Sequence, residues 1–205
     1  MGELLHLPAS DWALSVALGV ALAAAVGLRI FVPTLIVSVA AYSGHLALAP
    51  GFAWLASAPA VLALSLAALL EVGAYWIPGL DHLLDVLAAP VAVIAGSVLA
   101  ASVMVDLPPL VRWTMALIVG GGAAGLTHGL TALLRLKTGA VSGGLANPLV
   151  AGGELGGAIA LSLLALAAPL LAVLLLGAGA LWMLSRLRGH RRTQHPGGTP
   201  PDGPG

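Results

Sequence analysis

Residues 55–78 read LASAPAVLALSLAALLEVGAYWIP. The run is longer than the ~20 residues that cross a bilayer as a helix, and Glu71 is its only charged residue. An acidic side chain at the centre of a membrane helix costs roughly 2.5–3.5 kcal/mol on the lower scales. Glu71 therefore needs a partner or a role. It stands seven residues before Pro78, about 10 Å along a helix at 1.5 Å per residue. That places it nearer the end of a span than its middle.

The rest of the 205-residue chain has the same character: 60% of its residues are hydrophobic and only 8% are charged. Soluble domains carry about 25% charged residues, so the composition predicts an all-α, polytopic integral membrane bundle. The length allows five or six spans with short loops. Cysteine is absent, which excludes disulfides, thiolate metal sites and a cysteine nucleophile. MGELLHLPASDW at the N-terminus lacks the basic region of a cleaved signal peptide. Residues 1–185 carry a net charge of −3 and residues 186–205 carry +3, from Arg186, Arg188, Arg191 and Arg192 against Asp202. Basic residues just after a span mark the cytoplasmic side. The expected organisation is a transmembrane domain over 1–185 and a basic, then Pro/Gly-rich, disordered cytoplasmic tail over 186–205.

Breaks in the apolar runs outline the spans. The first stretch, 12–49, is interrupted by Gly27, Arg29 and Pro33. Pro33 removes a helical hydrogen bond, which leaves one long kinked helix or two helices meeting near Arg29. Further runs cover 53–77, 83–105 with Pro90 inside, 110–134, and 155–184. The last is either one long helix or a broken pair. Residues 135–153, RLKTGAVSGGLANPLVAGG, read as a polar, glycine-rich connection. With Glu154 they form either a surface loop or a re-entrant or broken helix of the kind that lines transporter sites.

Few side chains are left to carry chemistry. Asp81 and Asp85 are four apart and share a helix face. They either cap and favour a helix N-terminus or join Glu71 in a proton- or cation-sensitive cluster. Glu154 either sits in a favourable first turn or faces the same interior. His128 is a packing residue or a proton relay. Asn147 belongs to the helix-breaking SGGLANP, and Arg29 and Arg135 are the expected charge partners of the acids. Gly121, Gly125 and Gly129, spaced by four, predict a flat helix face for close packing, which also allows a homo-oligomer. No GxSxG, HExxH or CxxC occurs. The reading is therefore not an enzyme, with no metal, no cofactor and no nucleic-acid partner; the lipid bilayer is the expected surrounding.

These stretches also resemble a family of bacterial membrane proteins known as domain of unknown function 4126. The resemblance rests on GLRIFVP at 27–33, the run ending at Glu71 and Val72, IPGLDHLLD at 77–85, GGGAAGLTHG at 120–129, and SGGLANPLV at 142–150 with Glu154. It implies a compact helical domain of unestablished activity in a bacterial inner membrane. The family pattern has an Asp-Lys pair where this chain has Tyr75 and Trp76, and Glu-Asp where it has Glu154 and Leu155.

The residues together predict a small transporter or channel-like protein with Glu71, Asp81, Asp85, His128, Asn147 and Glu154 lining its interior. A non-transporting scaffold or assembly factor is the alternative. An intramembrane enzyme is disfavoured by the missing catalytic motifs.

Overall fold

The computed structural model describes the backbone of residues 9–74, 81–142 and 147–192, and side chains within 11–73, 88–140, 149–182 and at 185. All the regular elements among the described residues are helical. In chain order they are α1 (Ala9–Leu28), α2 (Phe31–Tyr42), a short 3-10 helix (Ala53–Ala56), α3 (Ala58–Ala74), α4 (Asp81–Val103), α5 (Pro109–Met115), a π turn (Ala116–Gly121), α6 (Gly122–Ser142), α7 (Asn147–Ala167) and α8 (Pro169–Arg192). The first compact unit covers residues 1–173 and the second residues 174–205. In the second, α8 carries exposed Leu174, Leu175, Leu181 and Trp182, and the Ser185 hydroxyl donates to the Trp182 carbonyl at 2.7 Å. The α8 backbone is helical through Arg192, past the expected boundary at 186.

Three stretches are long and apolar enough to cross a bilayer: Asp11–Leu28, Pro109–Ala140 and Leu149–Ala167. Phe31–Tyr42, Ala58–Gly73, Ala88–Val103 and Pro169–Trp182 are shorter. Leu62, Leu66, Leu69 and Leu70 of α3 are each at least 60% exposed. A water-soluble fold avoids so wide an apolar face, whereas lipid accepts it. The protein is an all-helical membrane protein.

The long first stretch is two helices. Arg29 N–H still reaches the Ala25 carbonyl at 3.1 Å. Pro33, lacking an N–H, cannot continue that pattern and sits in the first turn of α2, where a proline is tolerated. At 12 residues α2 is ~18 Å long, short of the ~30 Å hydrocarbon thickness. Its far end is held by the connection to α3: Ser38 Oγ donates to the Leu55 carbonyl at 2.6 Å, and Ala49 N–H donates to the Ser102 carbonyl of α4 at 2.7 Å. Gly44 and Gly51, both at positive φ, allow the turns of that connection.

The core is made by small residues. A Cβ added at Gly96 of α4 would lie 2.4 Å from the Ala124 Cβ of α6, and one at Gly27 would lie 2.4 Å from the Ala124 carbonyl oxygen. At Gly120 it would meet the Ala100 Cβ at 2.6 Å, and at Gly19 the Met104 side chain at 2.7 Å. These contacts run α4 antiparallel to α1 and to α5–α6, with α1 parallel to α5–α6. The missing side chains let backbones approach and gain dispersion contacts. Of the expected glycine face, Gly121 and Gly125 lie against Ser97 and Val93 of α4. Gly129 is exposed, with nothing among the described residues within 4 Å of its added Cβ.

The segment after His128 also differs from the expected connection. Helix α6 continues through RLKTGAVS to Ser142, and α7 resumes at Asn147. Helix therefore covers residues 135–142 of the expected connection, where the Thr138 hydroxyl donates to the Leu134 carbonyl at 2.9 Å; residues 143–146 lie outside the described residues. Pro169 then separates α7 from α8, so the long C-terminal run is the broken pair.

Substituting Gly27 or Gly96 by Ala is expected to lower unfolding stability in detergent by about 1–3 kcal/mol, as overpacking does. Gly129→Ala should be neutral or mildly stabilising, because Ala is the better helix former. Thermal unfolding of the three variants decides this; equal stabilities would contradict the packing register.

Candidate functional site

The break between α1 and α2 lies beside one group of charges. There α2 begins with unpaired backbone N–H groups, as every helix does. Ile30, its N-cap residue, has no side chain able to cap. Glu71 supplies the acceptors from α3: Ile30 N–H donates to Oε1 at 2.7 Å and Phe31 N–H to Oε2 at 3.0 Å. The carboxylate thus caps α2 from another helix, its charge favoured by the helix dipole.

Glu154 stands two turns into α7 and is 5% exposed. Arg135 of α6 grips it side-on: Nε donates to Oε1 at 2.8 Å, and Nη2 donates to Oε2. Arg29, 3% exposed, places its Nη2 3.7 Å from Glu154 Oε2 and donates to the Ala151 carbonyl at 3.0 Å. Two glutamates and two arginines balance to zero. The Arg29 side chain holds α7, while the next two backbone N–H groups hold α3.

The network sits toward one end of the bundle. Arg112 and Arg135 lie on the same continuous helical stretch, Pro109–Ala140. They are 23 residues apart, ~34 Å at the α-helical rise, so they mark opposite faces of a ~30 Å apolar layer.

His128 lies on α6 two turns before Arg135, its backbone N 3.0 Å from where a Gly27 Cβ would be. Its Nε2 is buried without a hydrogen-bond partner among the described residues. Asp81 and Asp85 occupy the first turns of α4, and Asn147 opens α7. The side chains of these three lie outside the described residues.

The expected arginine partners therefore divide unequally. Arg29 and Arg135 both hold Glu154, and Glu71 is bound by backbone donors. Sequence reading missed this because a backbone N–H leaves no residue signature. Pro33, three residues after the N-cap, was the available signal, since it fixes where α2 starts. Arg112 was also passed over. It is 6% exposed, and its Nε is buried without a hydrogen-bond partner. No single residue type distinguishes it from a snorkelling arginine in the sequence.

The family profile of domain of unknown function DUF4126 matches residues 16–188, which include the α1–α2 break and all four network residues. The chain belongs to the DUF4126 family. No curated protein and no solved structure matches it. This DUF4126 chain thus joins an uncharacterised family of membrane proteins, and its site must be read from its own geometry.

Glu71→Gln keeps one acceptor oxygen and sets an amide NH2 against a backbone N–H. It is expected to lose about 1–3 kcal/mol, the usual cost of an unsatisfied buried polar group. Arg135→Gln leaves Glu154 with the more distant Arg29 and should lose more, about 3–5 kcal/mol. Unfolding in detergent measures both; a Glu71→Gln variant as stable as the parent would contradict the capping role.

Proposed function

We propose that this chain is a small proton- or cation-responsive transporter of the bacterial inner membrane. The observation that carries the reading is the convergence of the α1–α2 interruption with α3, α6 and α7 on one neutral network of Arg29, Glu71, Arg135 and Glu154. Interrupted helices serve transporters by bringing helix termini and unpaired backbone groups to an ion or substrate. Irregular backbone at membrane depth is otherwise stable only where protein or a water-filled cavity covers it. Ionisable residues in membrane segments commonly mark such pathways. A proton or cation reaching Glu154 competes with Arg135 for the same oxygens. Release of that grip frees α6 and α7 to move apart.

Proteoliposomes carrying an internal pH dye and challenged in turn with H+, Na+, K+ and Mg2+ gradients test the reading. Flux is expected in the parent and should fall at least tenfold in Glu154→Gln, provided that variant elutes as a folded particle. Absence of flux in the parent across the panel would overturn it.

A specific observation favours the second reading, a non-transporting scaffold. Each described network acid is already held by protein donors: two backbone N–H groups on Glu71 and two arginines on Glu154. Under that reading Glu154→Gln costs stability alone, and the parent carries no flux. The same variant therefore separates the two.

The orientation proposed is C-terminus cytoplasmic, supported by the four arginines between 186 and 192. Because the chain has no cysteine, Ser185→Cys introduces a single reactive thiol. An impermeant maleimide applied to intact cells should leave it unlabelled and should label it after lysis.

A further inference from the structure

Arg112 lies at the face of the bundle away from the Arg29–Glu154–Arg135 network, and nothing in that network uses it. Its backbone N–H is spent on the Pro108 carbonyl at 2.8 Å. Its side chain makes no hydrogen bond or ion pair among the described residues, although the residue is only 6% exposed. A guanidinium has five donors and keeps its charge at any physiological pH. A buried charge without a counter-charge is strongly disfavoured. Arg112 is thus half of an interaction whose other half is an anion.

The surroundings indicate which anion. Ala116, one turn further along the same face, is fully buried in the cluster of Ala49, Phe52, Leu55, Ala101 and Met104. Val111 and Met115, on either side of Arg112 in sequence, pack against this cluster. Of the Arg112 side-chain nitrogens only Nε is sealed without a partner, which leaves the two terminal amino groups as the accessible donors. Beside it the Phe52 and Trp113 rings stand 5.9 Å apart. Trp113, Trp54 on the 3-10 helix and Tyr42 at the end of α2 are all at least 40% exposed. Exposed tryptophan and tyrosine gather at the level of lipid headgroups. Asp106, six residues earlier and partly exposed, forms no ion pair with Arg112.

We propose that Arg112 forms a phosphate-binding site at this face, its terminal amino groups pairing with the phosphate of a lipid headgroup or with a free phosphate ion. The planar fork of the guanidinium matches two phosphate oxygens at once. The aromatic ring residues hold the bundle at the depth where that group lies.

The test uses the full chain purified in a phosphate-free sugar detergent. Native mass spectrometry follows retention of added phosphatidylglycerol, with diacylglycerol as the control lacking a phosphate. The parent should retain phosphatidylglycerol and not diacylglycerol, and Arg112→Gln should weaken retention roughly tenfold or more, as loss of a charged hydrogen bond does. Millimolar inorganic phosphate that displaces the lipid supports a site for the free ion. Phosphate that stabilises nothing and displaces nothing, with lipid still retained through Arg112, supports the headgroup. Equal retention of phosphatidylglycerol and diacylglycerol by the parent overturns the proposal. So does an Asp106→Asn variant that loses stability as Arg112→Gln does while lipid retention is unchanged in both. Should Arg112→Gln not fold, Arg112→Lys keeps the charge without the fork and should retain the lipid more weakly. The comparison of lipids and phosphate on the parent needs no variant at all.

Discussion

A helix that starts inside a membrane must find acceptors for its first N–H groups, because hydrocarbon offers none. In this chain the acceptors are the two oxygens of Glu71. Pro33 breaks the first apolar stretch, the break exposes the Ile30 and Phe31 N–H groups, and α3 delivers a carboxylate to them. Glu71 at the break therefore resolves two costs together. Its charge meets the positive end of a helix dipole, and the helix end meets an acceptor. Removing either one alone restores the penalty of the other.

The small residues make that arrangement possible. Gly27 lets the last turn of α1 rest on the Ala124 and Thr127 region of α6. A side chain there would push α1 away from α6 and carry Arg29 with it. Arg29 could not then reach Ala151 and Glu154 on α7. Gly96 and Gly120 do the same work about one turn away, where α1, α4 and the π turn meet. The π turn places Gly120 and Gly121 on the inner side together, a local widening of the kind found at functional positions in helices. Close backbone packing and the charge network are thus one design: the first sets the distances that the second requires.

Much of this was legible in the residues. The apolar runs located the helices, Pro33 and Arg29 located the first break, and a lone carboxylate in a long run singled out Glu71. The partner of Glu71 was not legible, because backbone donors carry no letter in the sequence. The extent of α6 was hidden for a different reason. RLKTGAVS looks like loop by polarity, yet it is helical to Ser142, and Arg135 turns inward to Glu154. The glycine face was readable in its spacing but not in its end point. Gly129 has the right register, yet none of the described residues covers it. Arg112 was invisible because the burial of a single arginine is set by tertiary packing, which no one position encodes.

The geometry also explains why residues 29–31 form the most constrained point in the first unit. The Arg29 side chain answers to Glu154 on α7, and Glu154 in turn answers to Arg135 on α6. The next two N–H groups answer to Glu71 on α3. A change of charge at either acid therefore acts on the same short segment through bonds that are adjacent along the backbone. If Glu154 loses Arg135, Arg29 becomes its remaining described cation, and the resulting pull runs through the residue that precedes the α2 cap. If Glu71 loses its charge, the cap weakens and the anchor that positions Arg29 loosens. Coupling between distant sites usually needs a chain of intermediates. Here the two acids bind the same three-residue segment, so a change at either acts on groups that are covalently adjacent.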